Sequence, residues 1–260
     1  MPLVNVTCDA GVVRIELNRP ETVNALSLQL AEDLLAAAAP YAARPDVKAL
    51  VLSGAGRGFC AGADVAETPA LLRESAYHQL TAHARMQRIL EDFERLPVVK
   101  IARIHGGCVG AGLVLATLCE LRVATPTAVF ALPELAFGIP FSMAGLPRLA
   151  RLIGPTRAAD LLLTTRRVNG EEALAMGLVT AVAAEDEIDA VVDSWASAVA
   201  AHPSYLVANA VTRLREVSES LARSDRSDLD ALVLASMDPE SARQSQAYAQ
   251  SVVGSDPRPG

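Results

Sequence analysis

The chain has 260 residues, 51% of them hydrophobic and 20% charged, with a formal net charge of −7. That balance describes a folded protein with a substantial interior, not a disordered chain. The acidic charge and an aromatic share of only 4% argue against nucleic acid as a partner, since phosphate binding needs clustered cations and base stacking needs aromatic rings.

In chain order, VNVTC (4–8) and VVRIEL (12–17) read as two strands about the turn signal Asp9-Ala10-Gly11. LSLQLAEDLLAAAAPYAA (26–43) has a helical pattern, with Ser27 placed to cap it and Pro40 near its end. VKALVLS (47–53) is a continuous apolar strand of the kind buried on both faces. After the loop GAGRGFCAGAD, residues 69–95 suit an amphipathic helix. VVKIARI (98–104) is a further strand feeding the glycine-rich stretch GCVGAGLVLATLCE (107–120), read as a loop and a buried helix. LRVAT (121–125) and AVFALPE (128–134) add two short strands. This alternation predicts an α/β fold with parallel pairing.

From about residue 185 no strand pattern remains, and three or four helices are expected, broken at His202-Pro203 and Asp238-Pro239. We therefore divide the chain into a core, residues 1–195, and a helical C-terminal region, residues 196–260, with a frayed tail. The apolar runs fall short of the about 18 residues that a membrane span needs. The start MPLVNVTCDAG has no basic leader, so a cytoplasmic location with no membrane partner is the expectation. Cys8, Cys60, Cys108 and Cys119 lack metal or redox spacing and read as buried free thiols, and His78 and His83 do not share a helical face. No metal site is expected.

Two glycine-rich loops follow apolar strands, one at 54–64 and one at the entry to the stretch 107–120. The first approaches a dinucleotide fingerprint but lacks the third spaced glycine and an acidic ribose ligand, and it has no Walker lysine. Strand ends of an α/β sheet converge on one crevice, so a backbone N–H from each loop can point at one carbonyl oxygen. Such an oxyanion hole needs no ionisable side chain. A pair of purely structural turns is the other reading of the same glycines.

Five segments then carry a resemblance: LNRPETVNALS (17–27), GRGFCAGADV (56–65), IHGGCVGAGLVLATLCE (104–120), FALPELAFGIP (130–140) and RLIGPTRAADLLLTTRRVNGEEALAMGLVTAV (151–182). In order and spacing they resemble the crotonase, or enoyl-CoA hydratase/isomerase, superfamily. The resemblance implies a spiral of ββα units with a C-terminal helical region that forms trimers, often paired into hexamers. It implies an acyl-CoA thioester substrate and no cofactor beyond the coenzyme A of that substrate.

By the same resemblance, the oxyanion donors are the N–H groups of Ala63 and Ala111, with Gly110 beside the latter. Val23, Ala25 and Ala61 fall where the acyl-CoA lies, and Asp64 is expected to cap the next helix. Glu134 matches one of the two glutamates of the hydratases. The second position, three residues beyond Ala111, is Val114. Glu120 is about 240° further round the helix and does not replace it. Phe141 and Met143 stand where a small, glycine-rich helix start is usual, and either narrow the acyl pocket or pack in the core. A single glutamate suits double-bond isomerisation and leaves hydration open. A catalytically weak acyl-CoA-binding or assembly protein is the alternative of a different class.

Overall fold

The computed structural model describes residues 2–64, 75–221, 234, 235 and 237–254. Strands β1 (Val4–Asp9) and β2 (Val12–Leu17) form an antiparallel hairpin. Its two-residue turn puts Ala10 and Gly11 at φ 48° and 77°, the geometry that matches strand twist. Helix α1 (Leu28–Ala42) starts where Ser27 Oγ accepts from Leu30 N–H at 3.1 Å, and it buries Leu30, Ala31, Leu34 and Ala38. Then follow β3 (Ala49–Gly54), α2 (Ala76–Glu94) and β4 (Val99–Ile104). The part of the expected helix at 69–74 lies outside the described residues.

β5 (Gly107–Val109), α3 (Ala111–Thr117), β6 (Leu121–Ala124) and β7 (Val129–Ala131) come next. β5 departs from expectation: residues read as loop pair in parallel with β7 as a separate two-stranded ribbon. Beyond it lie α4 (Gly145–Ile153), α5 (Pro155–Thr164), α6 (Gly170–Met176), β8 (Ala181–Val182), α7 (Ile188–Ala200), α8 (Ser204–Leu221) and α9 (Pro239–Gly254).

The main sheet has the order β1-β2-β3-β4-β6-β8, parallel except for the hairpin. β3 shows why its sequence is apolar throughout. Leu50 and Leu52 enter the main core, while Ala49 and Val51 face the other way, with Val12, Ile101 and Val123. Ile188, Val192 and Ala196 of α7, four residues apart, cover that second face. The expected division at 195/196 falls inside this helix, and residues on both sides of it pack on the sheet. Among the described residues, no helix is long and apolar enough to cross a membrane.

Candidate active site

β3 and β4 are parallel neighbours, so their C-terminal loops leave the sheet side by side. The loops then bond to each other: Phe59 N–H donates to His105 O, Cys60 N–H to Gly107 O and Val109 N–H to Cys60 O, all within 2.9–3.0 Å. Such closeness leaves no room for side chains. A β-carbon at Gly106 would lie 2.1 Å from Arg57 O, and one at Gly112 would lie 2.3 Å from Cys60 O. The glycines serve backbone contact, as the structural reading of these loops requires.

Residues 60–64 also pair on their other side. Ala61 N–H donates to Val23 O at 2.9 Å, Leu26 N–H to Gly62 O at 2.7 Å and Asp64 N–H to Leu26 O at 3.0 Å. Residues alternate along an extended segment, so these bonds leave the Ala63 N–H pointing away from Leu26. Ala111 is the first residue of α3, where an N–H has no partner within the helix. Among the described residues, neither N–H donates a hydrogen bond. Gly62, at φ 112°, bridges the two: a β-carbon there would stand 3.2 Å from Val109 O and 3.9 Å from Ala111 N. Gly62 thus joins the segment that carries the Ala63 N–H to the start of α3.

The β5–β7 ribbon brings the carboxylate to this junction. Gly110 N–H donates to Ala131 O at 3.0 Å, extending the ribbon by one step. Three residues on, Glu134 begins a short 3-10 turn, Glu134–Phe137, after Pro133. Its Oε1 lies 2.6 Å from where a β-carbon of residue 110 would be. The side chain is buried, and among the described residues Oε2 has no hydrogen-bond partner. Burial pushes its pKa up to about 7, against a smaller opposing effect of its own backbone N–H. This is a carboxyl that can exchange a proton near neutral pH.

Val114 is fully buried, and its Cγ2 lies 2.9 Å from the position of a β-carbon on Gly145. The Phe141 ring approaches the same point to 2.6 Å and is itself only 7% exposed, within the main core. Met143 and Ala144 follow at φ 60° and 53°, left-handed conformations that a glycine adopts without strain. Arg148 holds both carbonyls, at 2.8 and 3.0 Å, while pairing with Glu94. Glu120 is elsewhere, bonded to the backbone N–H and ammonium of buried Lys100 at 2.7 and 3.1 Å.

Asp64 is nearly buried and pairs with Arg19 at 2.8 Å, and Arg19 also donates to Ala25 O at 2.7 Å. The helix that Asp64 was expected to cap lies outside the described residues. Asn24, fully buried at φ 56°, accepts from Arg19 N–H and donates to Ala55 O and Gly58 O, each at 2.9 Å. Arg19 and Asn24 thus fix the 23–26 segment to the first loop. The resemblance places Asn24 in a segment read as an acyl-CoA contact and gives Arg19 no role; an Asn in a turn that needs positive φ is the signal for its structural part.

The cysteines need one correction: Cys8 is exposed, not buried. Cys60 and Cys108 are bridge partners and remain free thiols, with burial pushing Cys60 up to about 12 and Cys108 well above its usual value. Both stay protonated at neutral pH and are poor nucleophiles. Among the described residues, no group of three or more His, Cys, Asp or Glu side chains converges to hold a metal.

Residues 7–250 match the sequence family described as enoyl-CoA hydratase/isomerase. A probable enoyl-CoA hydratase of Mycobacterium tuberculosis is 34% identical over 84% of this chain and 82% of its own. The peroxisomal Delta(3,5)-Delta(2,4)-dienoyl-CoA isomerase of Arabidopsis thaliana is 32% identical over 73% of this chain and 72% of its own. The crystal structure of an enoyl-CoA hydratase from Mycobacterium smegmatis superposes with a TM-score of 0.78 at 30% identity, covering 99% of this chain and 93% of that one.

Proposed function

Because the chain belongs to the enoyl-CoA hydratase/isomerase family and has its crotonase fold, we propose that it stabilises the enolate of an enoyl-CoA thioester and moves one proton through Glu134. The thioester oxygen accepts from the N–H groups of Ala63 and Ala111. The Glu134 carboxylate takes a proton from the α-carbon of a 3-enoyl-CoA. The C–H electron pair becomes the C1–C2 double bond of a dienolate, with the negative charge on the oxygen. Glu134 then returns the proton to the γ-carbon, and the double bond ends between C2 and C3. Preorganised backbone donors suit this chemistry, because the charge develops on the oxygen only during the step.

The observation that carries the reading is the Glu134 carboxyl itself, buried, without a partner for Oε2 among the described residues and lying over Gly110 at the start of α3. Isomerisation is favoured over hydration because the second glutamate position is Val114, packed with Phe141 against Gly145. A second carboxyl to share the work with water is missing there. Hydration is the second reading, supported by the relative named a probable enoyl-CoA hydratase and by a Glu134 pKa that allows both acid and base roles. Val23, Ala25, Ala61, Asp64, Gly110, Val114 and Phe141 are read as lining the substrate path, and no cofactor is called for beyond the coenzyme A of the substrate.

The test uses purified protein with a 3-enoyl-CoA, followed by gain of the conjugated-thioester absorbance, and with a 2-enoyl-CoA, followed by its loss. Gain with the first supports isomerisation. Loss with the second, without the first, supports hydration. Binding of both esters without turnover overturns the enzyme reading in favour of an acyl-CoA-binding protein. We also read the protein as a cytoplasmic homotrimer or hexamer, a self-association supported by the exposed Tyr205, Leu206, Leu214 and Val217 on α8 and checked by light scattering.

A further inference from the structure

The turn that carries Glu134 has little to hold it in place. It spans four residues, and Pro133 offers it no side-chain cap. Its own bonds are Phe137 N–H to Pro133 O at 3.2 Å, Gly138 N–H to Leu135 O at 3.2 Å and to Glu134 O, and Ile139 N–H to Glu134 O at 3.0 Å. A 3-10 turn this short is not stable alone and takes its position from what packs on it.

Two helices pack on it, α5 and the C-terminal helix α9, the latter more than a hundred residues away in sequence. The Tyr248 ring stacks on Phe137 with centroids 3.8 Å apart and planes 15° from parallel. Gln244 Nε2 donates to Ala136 O at 2.7 Å and reaches Leu135 O at 3.4 Å. The approach is close enough to constrain the residue that follows the turn: a β-carbon at Gly138 would lie 2.7 Å from Ser241 O. Gly138 is also left-handed, at φ 71°, so one glycine serves both the turn and the helix contact.

We propose that α9 is the positioning element of the active site, with Gln244 and Tyr248 as positioning residues that fix the aim of the Glu134 carboxyl through the carbonyls of Leu135 and Ala136 and the ring of Phe137. This rests on the reading of Glu134 as the acid/base group. Neither residue is given contact with substrate. Their effect is on where the carboxyl sits and how dry it is kept, and a displacement of about 1 Å at a reacting group costs about a hundredfold in rate. The influences on the carboxyl itself are burial and its own backbone N–H, so loosening the turn acts through burial.

The experiment compares full-length Tyr248→Ala, Gln244→Ala and Tyr248→Phe with the parent protein. It measures kcat and KM with the enoyl-CoA that turns over, thermal midpoint, and the carbon-13 titration of the Glu134 carboxyl, assigned with Glu134→Gln. Tyr248→Ala and Gln244→Ala are expected to lower kcat by about tenfold or more with KM within about threefold. The titration midpoint of Glu134 is expected to fall from about 7 toward the ordinary carboxyl range as water enters, while Tyr248→Phe, which keeps the ring stacked on Phe137, changes both properties less than Tyr248→Ala. An unchanged titration midpoint in both alanine variants overturns the proposal, whether or not kcat falls with thermal stability. If the parent protein turns over no enoyl-CoA, the acid/base reading fails on its own, and the titration still decides whether α9 positions the carboxyl.

Discussion

The Glu134 carboxylate lies over Gly110, with Oε1 2.6 Å from where a β-carbon of that residue would stand. Gly110 in turn bonds through its N–H to Ala131 O and precedes Ala111, whose N–H opens α3. One glycine therefore joins the candidate proton carrier to the candidate oxyanion donor. Backbone pairing in the β5–β7 ribbon thus brings the candidate acid/base group beside the candidate oxyanion donor.

Gly110→Ala tests that join. The residue sits at φ 53° and ψ −118°, a region closed to L side chains, and forcing alanine into it costs about 1–3 kcal/mol of strain. The added methyl must also displace the carboxyl. Turnover is expected to fall by about a hundredfold, beyond what the loss in thermal stability explains. Retention of parent kcat in a folded Gly110→Ala protein would refute the placement of Glu134 over this glycine.

In the proposed mechanism proton abstraction needs the Glu134 carboxylate, whose pKa is raised to about 7 by burial. For isomerisation begun at the α-carbon, kcat/KM is expected to rise about tenfold per pH unit below 7 and to level off above it. Glu134→Gln keeps the shape of the side chain without a titrating group and should lower turnover by about a thousandfold. Binding of a CoA ester, measured by calorimetry, should stay close to that of the parent.

The same shift has a signature in stability. The folded pKa, about 7, is above the ordinary 4.5, so the folded state holds the proton more tightly than the unfolded chain. The stabilisation is fully present below 4.5 and is lost as pH rises to about 7. At about 1.4 kcal/mol per pH unit, the gap caps that loss at about 3 kcal/mol. Urea denaturation should therefore show Glu134→Gln gaining on the parent between pH 5 and 7, with a constant advantage above 7. An advantage that is the same at pH 5 and pH 8 would mean the carboxyl is not desolvated.

Much of this arrangement was legible because the main-sheet strands carry strong patterns. β3 and β4 are short and apolar enough to identify as buried parallel strands, and the glycines after them marked the loops. β5 was not legible: Gly-Cys-Val has no periodicity, and its strand character comes only from β7. Glu134 stood out through the resemblance alone, since one glutamate in an apolar stretch has no local signal for burial. The meeting of Val114 with Phe141 and Gly145 is tertiary, across some thirty residues, and no local pattern encodes it. The stack of Tyr248 on Phe137 is more distant still.

That meeting decides how the second glutamate position will respond to substitution. Val114 is 1% exposed, and its Cγ2 and the Phe141 ring both come within 3 Å of the β-carbon position on Gly145. Val114→Glu alone places a carboxyl against the Phe141 ring and Gly145 in the apolar core, and should cost about 3 kcal/mol. The new group would then stay protonated and swung away from the substrate, so no hydration of a 2-enoyl-CoA is expected. Phe141→Ala removes the ring that occupies the space, and in contacting residues such effects do not add. The Val114→Glu/Phe141→Ala protein should be more stable than the sum of the two single losses by about 1 kcal/mol or more, and it should hydrate a 2-enoyl-CoA. Denaturant midpoints for all four proteins, with absorbance assays on each, complete the cycle. If Val114→Glu alone keeps parent stability and gains hydration, then the apolar contact seen here does not limit the reaction, and the choice of isomerisation over hydration loses its structural basis.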